Sequence, residues 1–376
     1  MASLTESVKN LFSKMHQGSI VGVDIGTSSI KVVEIAREEE RVVLKNYGEI
    51  ALGPLRGESV GQATNLPPEK LAQALRDLLL ETGIVSRHVF FAIPFSSSLL
   101  VIVKLPDVGD AKLESMVPLE ARRYIPVPLS EVSLNWWALP RRQEGEKKAV
   151  EITEGAPPFM NYREVILAAV HNDVFKRYDA LKRDIGLADV ALHFEMEIFS
   201  VLRGTIGREL APMVVVDIGA GTTKLVLVEG GVVRGSHIIS MGGQDITLTL
   251  SRSLNIPFAQ AEEMKRRAGI LGTEDGRRVA SVAEILLVNM FNEVKRVVEN
   301  YERQYERKIE SVVLVGGGSL LKGIAKLAEV HFPKTKVVIG DPFARVESPA
   351  FMGPTLRSIS PNFAIALGIA LKGLEE

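Results

Sequence analysis

The sequence predicts an α/β fold built twice, with two related halves facing one another across a cleft. A strand, glycine turn, strand signature that begins at Asp24 returns at Asp217, 193 residues later, which is close to half of the 376-residue chain, as a duplicated fold requires. Strand-like and helix-like periodicities alternate along the rest of the chain. Apolar residues make up 46% and charged residues 24%, a composition that supports packed cores in a chain long enough for two domains.

Composition also excludes several functions. The 45 basic and 46 acidic residues leave a formal net charge of -1, so the electrostatic footprint of a nucleic-acid-coating protein is missing. The absence of cysteine rules out disulfides, thiol catalysis and thiolate metal sites, and suits a reducing cytoplasm. The longest apolar stretches, such as 165–170 and 364–371, are too short to span a membrane, and no basic flank and apolar core mark a secretion signal. The six histidines do not cluster at ligand spacing. A cytoplasmic protein with room for peripheral membrane association is expected.

Taken in order, Leu4, Val8, Leu11, Phe12 and Met15 form one helical stripe over residues 3–15, better suited to docking on the protein itself than to an anionic membrane surface. An apolar run then ends in Asp24, turns at Gly26-Thr27-Ser28-Ser29 and returns from Ile30 to Ile35, followed by a third strand from Arg41 to Ile50. Leu71, Ala74, Leu75, Leu78 and Leu79 recur at helical spacing over 67–82. Two strands broken at Pro94 occupy 87–105, and a helix over 110–123 stops at Tyr124-Ile-Pro126-Val-Pro128. The stretch 140–161 is polar and loop-like, and a strand over 164–170 and a helix over 173–185 follow it.

The second signature runs through Asp217, the turn Gly219-Ala220-Gly221-Thr222-Thr223, and Lys224. In both copies a lysine, Lys31 or Lys224, follows the aspartate by seven positions. A glycine-permitted turn exposes backbone N-H groups, and Thr and Ser hydroxyls add donors, so two opposed turns would clamp a polyphosphate. Either lysine could reach the phosphates as a point charge, and Asp24 and Asp217 suit Mg2+ held largely through water. One such turn alone is more often an ordinary hairpin, and the duplication is what favours phosphate.

Later elements extend this set. Val312–Val315 leads into Gly316-Gly317-Gly318-Ser319 and a helix expected from Leu320 to Glu329, a strand and glycine turn that let a flat ring approach backbone closely. The run lacks a Walker lysine, and Gly219-Ala-Gly221 lacks the third glycine of a dinucleotide fingerprint. Glu262 and Lys265 share a face of a helix over 259–268, placed for ribose hydroxyls beside a cleft or else a plain surface ion pair. Ser360-Pro361 opens a narrow helix through Leu371, rich in Ala and Gly and fit to pack closely as a pivot.

The duplicated Asp-x-Gly hairpins, the late Val-Gly-Gly-Gly turn and the small-residue terminal helix together resemble the actin, Hsp70 and sugar-kinase superfamily. Met241-Gly242-Gly243-Gln-Asp-Ile-Thr247 and Ala261-Glu262-Glu263-Met-Lys265 are similar to its bacterial branch of FtsA, MreB and PilM, and the Tyr-Ile-Pro-Val-Pro stretch resembles the PilM family of type IV pilus assembly proteins, with Val127 in place of the usual aromatic. The resemblance implies two RNase H-like domains around ATP and Mg2+. Residues 18–210 plus 355–376 would form domain 1 with an inserted subdomain at about 87–161. Residues 211–354 would form domain 2 with its own insert at about 243–308, and 1–17 a leading helix.

By the same resemblance, Gly26 to Ser29, Lys31, Gly219 to Lys224, Gly242, Gly243, Glu262, Lys265 and Gly316 to Ser319 would contact the nucleotide. Glu197, matched to a glutamate of the MreB pattern although Ile198 and Ser200 depart from it, would position water; Glu195 is its neighbouring rival, and a helix-start carboxylate favoured by the dipole explains Glu197 as well. ATP binding with at most slow hydrolysis follows. The implied role is a cytoplasmic protein at the inner face of the membrane, binding the N-terminal tail of a PilN-like membrane protein and other pilus platform proteins. Phe90, Phe91, Trp136 and Trp137 are candidates for that peptide groove, with core packing an equal explanation. Alternatives are an FtsA-like filament tether and, less well supported, a small-molecule kinase. The oligomeric state is left open.

Overall fold

The computed structural model describes residues 18–140, 162–187, 190, 192–207, 209–271 and 273–375. The amphipathic stretch at 3–15 and the polar segment 141–161 lie outside the described residues.

The chain opens with the hairpin β1 (Ile20–Ile25) and β2 (Ser29–Glu38), then β3 (Arg41–Ala51), helix α1 (Pro68–Glu81) and β4 (His88–Ile93). β5 (Ser98–Pro106), α2 (Asp110–Ala121), β6 (Val132–Ala138), β7 (Tyr162–His171) and α3 (Asn172–Asp184) follow, then β8 (His193–Met196) and α4 (Glu197–Thr205). The second half repeats the opening as β9 (Met213–Ile218), β10 (Thr223–Glu229) and β11 (Val232–Ile239). Three helices, α5 (Gly243–Leu254), α6 (Phe258–Ala268) and α7 (Glu274–Tyr305), precede β12 (Ser311–Val315), α8 (Ile324–His331), β13 (Lys336–Ile339), α9 (Gly353–Ile359) and α10 (Ala364–Gly373).

The duplication shows in the sheets. One orders its strands β3-β2-β1-β4-β8 and the other β11-β10-β9-β12-β13, the same topology drawn twice. Register repeats too: Asp24 pairs with Lys31 across the first hairpin, and Asp217 with Lys224 across the second. β1 and β9 are buried almost throughout, because their β-branched residues are covered on both faces. α7, 32 residues long, lays Val279, Ala283, Leu287, Phe291, Val294 and Val298 against the second sheet at helical spacing.

The chain divides into two compact units, one running to Pro94 and resuming at Asp179, the other Phe95–Tyr178. The second is a three-stranded antiparallel sheet, β5-β7-β6, whose core joins Val103, Leu105, Val165 and Leu167 to Leu113, Val117 and Ala121 of α2. β6 is one of its edges.

α10 is packed through glycine. A Cβ on Gly368 would stand 1.7 Å from the Ser200 carbonyl oxygen of α4, and one on Gly204 1.9 Å from that of Ala364. At Gly22 of β1 the distance to the Ala366 carbonyl would be 2.1 Å. Backbone meets backbone, as the small residues of this helix suggested.

Two expectations need correction. Leu320 ends a 3-10 turn (Gly317–Leu320), and the helix begins only at Ile324, because Gly323 at φ 94 breaks the path between them. Ser360 does not cap a long helix. Its hydroxyl accepts the Phe343 N-H at 2.8 Å, and a 3-10 turn over Ser360–Phe363 precedes α10.

Candidate functional site

The two repeated turns meet. An ideal Cβ on Gly221 would lie 3.6 Å from the Thr27 hydroxyl and 3.7 Å from Ala63. Each turn is closed the same way, with the Gly26 N-H on the Ser29 carbonyl at 3.0 Å and the Gly219 N-H on the Thr222 carbonyl at 2.9 Å. Neighbouring backbone then ties the turn carbonyls back. Thr27 accepts from Thr64 at 2.8 Å and Ser28 from Leu52 at 2.9 Å, while Gly219 accepts from Gly243 and Ala220 from Gln244, each at 2.9 Å. In a planar trans peptide the N-H points opposite its carbonyl, so the Ser28, Ala220 and Gly221 N-H groups face away from those ties. The result is a pair of donor-rich concavities.

Beneath the turns lie five buried charges. Asp24, Lys31, Glu197 and Asp217 are all buried, and Lys224 is nearly so. Lys31 is 3.0 Å from the Ser29 hydroxyl, 3.9 Å from Asp24 and 3.7 Å from Glu49. Lys224 is 2.8 Å from Glu197 and 3.5 Å from Asp217. Burial pushes the Asp24 carboxyl up to about 6, opposed by Lys31 and assisted by Glu197 and Asp217. Burial acts to lower the Lys224 ammonium, but the Glu197 and Asp217 carboxylates outweigh it and raise the group above the ordinary lysine value. The rival Glu195 is held by Arg203, one contact being 3.0 Å, and accepts from the Ser200 hydroxyl at 2.9 Å.

The remaining sequence-predicted residues ring this cluster. Gly242 precedes α5 so tightly that a Cβ would lie 2.4 Å from the Ala220 carbonyl oxygen. Gly316, at φ 79, would push a Cβ to 2.3 Å from Asp217, and Gly318 to 2.2 Å from Ile218. Gly317 faces Asn362 at 3.1 Å by the same measure. Lys265 joins the ring by donating to the Gly243 carbonyl and the Thr247 hydroxyl, each at 2.8 Å, and by pairing with Glu262 at 2.7 Å. Burial raises the Glu262 carboxyl, but Lys265 and hydrogen bonds from Lys265, Thr247 and Arg266 outweigh it and hold the group below its ordinary value. Two hydroxyls serve the scaffold: Thr223 donates to the Met241 carbonyl at 2.8 Å and Ser319 to that of Gly316 at 2.7 Å.

One segment escaped sequence reasoning. Residues 53–66 run from the first half onto the second, where the Ala63 N-H donates to the Gln244 side chain at 3.0 Å. Gly61, at φ 86, lies against Glu262, where a Cβ would approach Oε1 to 2.7 Å. Between this segment and α6 opens a cleft of about 630 Å3, lined by Glu58, Val60, Glu262 and Arg266 among others. The hints in the sequence were Gly57 and Gly61, both at positions that take left-handed backbone.

These residues suit a triphosphate with a divalent ion by their chemistry: outward N-H groups, glycines with no room for a side chain, and lysines over carboxylates. Among the described residues no group of three or more His, Asp or Glu stands ready to hold a metal by itself. A divalent ion would therefore take its other ligands from phosphate and water, beside Asp24 and Asp217. Asp24, raised toward neutrality, is the kind of carboxylate that an arriving cation would ionise.

Two sheets of identical order, joined at facing hairpins, define a protein of the actin-like fold. MreB5 of Spiroplasma citri, solved bound to ADP, shares that fold at 13% identity and a TM-score of 0.52, over 94% of this chain and 96% of that one. The model of the family "Type IV pilus assembly protein PilM" matches residues 22–374, and the chain belongs to that family. A solved PilM-PilN type IV pilus biogenesis complex aligns at 27% identity with a TM-score of 0.77, covering 96% of this chain and all of that one. Cell division protein FtsA of Helicobacter pylori is 30% identical over 188 residues, which is 44% of this chain and 37% of that protein's length.

Proposed function

We infer that the chain is an ATP-binding component of the type IV pilus inner-membrane platform, working at the cytoplasmic face of the membrane. Membership of the PilM family supports the pilus role. The observation that carries nucleotide binding is the meeting of the two turns above a buried charge cluster, with the Thr27 hydroxyl beside Gly221. The Ser28, Ala220 and Gly221 N-H groups and Lys31 would hold the phosphates, Asp24 and Asp217 the hydrated Mg2+, and Glu262 with Lys265 the ribose end. MreB5 with bound ADP is a precedent on this fold. When bound, Mg-ATP supplies a phosphoryl group whose transfer to water needs an orienting acceptor, the role proposed for Glu197. In this reading the two nucleotide domains are residues 18–210 with 355–376, and 211–354.

The partner is the N-terminal tail of a PilN-like membrane protein, taken by the unit Phe95–Tyr178. The solved PilM-PilN complex favours such a partner. β6 offers an edge to an extended peptide, and Trp137 on it is 38% exposed. Phe90 and Phe91 are fully buried in β4 and serve the core instead. Among the described residues no helix is long and apolar enough to cross a membrane, so attachment through such a tail would hold the protein there.

Calorimetry of the full chain with Mg-ATP, then with a PilN-type tail peptide with and without nucleotide, tests both parts. Micromolar binding of each is expected, at about -8 kcal/mol. No heat with Mg-ATP would refute the nucleotide reading, and no heat with the peptide would refute the partner.

A further inference from the structure

We propose that Lys224 is the internal counter-ion of Glu197, and that it restrains hydrolysis at this site by occupying the oxygen that would otherwise orient the attacking water. The inference rests on the ATP-site reading above and concerns how that site is regulated.

Register makes the two lysines equivalent. Lys31 and Lys224 occupy the same place in the duplicated hairpins, seven positions after the aspartate and directly across from it. Their outer neighbours differ. Lys31 faces Glu49 on β3, whereas Lys224 faces Ile238 on β11. An apolar residue offers the second ammonium nothing, so the nearest carboxylates take it.

Those carboxylates are Glu197, at 2.8 Å, and Asp217, at 3.5 Å. Glu197 starts α4 and its side chain is only 6% exposed; Asp217 is 7% exposed and Lys224 19%. An ion pair in such a place is held firmly, because loss of either partner strands the other charge away from water. Lys31 sits in looser company, its nearest carboxylates at 3.7 and 3.9 Å, and Glu49 is 39% exposed. Lys31 is buried beside Asp24, but both its carboxylates stand at 3.7 Å or more with no hydrogen bond to either, whereas Lys224 donates to Glu197 at 2.8 Å and covers two buried carboxylates.

A group that orients water toward phosphorus must accept a hydrogen bond from that water. Lys224 donates to Oε2 of Glu197. While it does, that oxygen is engaged and its charge balanced, so water is poorly polarised there. The duplicated lysines thus divide the work, Lys31 on the nucleotide and Lys224 on the catalytic brake.

The test compares Lys224→Met, which keeps the aliphatic stem and removes the charge, with the unchanged chain and with the neutral pair E197Q/K224M. Mg-ATP affinity is read by calorimetry and hydrolysis by single-turnover assay. The expected result for Lys224→Met is an affinity within about threefold of the unchanged chain and a hydrolysis rate raised about tenfold or more, the scale on which a positioned base acts. The double variant should bind ATP equally well and lose the gain. A fall in affinity of about tenfold or more in either variant would make Lys224 a phosphate ligand and overturn the proposal. So would unchanged hydrolysis in a Lys224→Met protein that binds ATP normally. If Lys224→Met does not fold, affinity in E197Q/K224M, where the charge of Glu197 has gone with the lysine and only Asp217 loses a partner, decides between the two roles. Failure of the unchanged chain to bind Mg-ATP would overturn the site reading and this inference with it, an outcome recognisable because it precedes any substitution.

Discussion

The two hairpins have one backbone and two environments. Both close a four-residue turn with the same reversed hydrogen bond, and both set a lysine across from an aspartate. What separates them is the strand or helix laid alongside. β3 gives the first lysine a half-exposed glutamate, while α4, an element from the other half, gives the second a buried one. Duplication repeats main-chain geometry, and specialisation enters through side chains on the neighbouring elements, Glu49 on β3 where β11 carries Ile238, and Glu197 on α4.

That contrast can be broken. The largest expected effect is on stability: Glu197→Ala should cost about 3–5 kcal/mol in denaturant unfolding without nucleotide, because Lys224 loses its nearer buried partner. The matching change in the first hairpin, Glu49→Ala, should cost less than about 1 kcal/mol, since its carboxylate is open to solvent. Equal losses would mean that the two lysines are equivalent after all.

A smaller effect concerns pH. The Asp24 carboxyl, raised from 3.8 to about 6, binds its proton more tightly in the folded chain than in the unfolded one. Its contribution to stability is therefore greatest at pH values below the unfolded pKa and is lost as pH rises through about 6. Asp24→Asn should remove roughly 3 kcal/mol of that decline, read as the difference in unfolding free energy across the window with and without the substitution. An unaltered pH profile would place the titrating group elsewhere. A more modest effect than the pH term belongs to the segment bridging the halves, where Gln244→Ala deprives the Ala63 N-H of its acceptor. A loss of about 1 kcal/mol is expected, together with faster amide exchange at Ala63; unchanged exchange would show that the bridge does not depend on this bond.

Much of this molecule could be read before its coordinates. The hairpins were legible because glycine, aspartate and lysine recur at fixed offsets, and offset is what register preserves. α1, β7 and α3 were legible from periodicity, since each buries one stripe or a continuous run. α7 carries an equally clear stripe from Val279 to Val298, over a length nearly three times that of an average helix, yet no element was predicted there within the insert expected at about 243–308. Other features had no local signature. The grip of residues 61–64 on Gln244 and Glu262, and the choice of Glu197 rather than Glu195 beside Lys224, depend on residues brought together from distant parts of the chain. Arg203 decided the second of these by claiming Glu195 from nearly two turns along α4.

The glycine contact between α4 and α10 reaches further than packing. Gly368 sits against the carbonyl of Ser200, within one helical turn of Glu197. The missing methyl group there works as a shim of zero thickness: any side chain at 368 would lift the head of α4 and carry Glu197 away from Lys224. The spacing of an ion pair at the centre of the protein is thus gauged by a residue almost at its end, and Gly368→Ala offers a way to detune that pair without touching either charge.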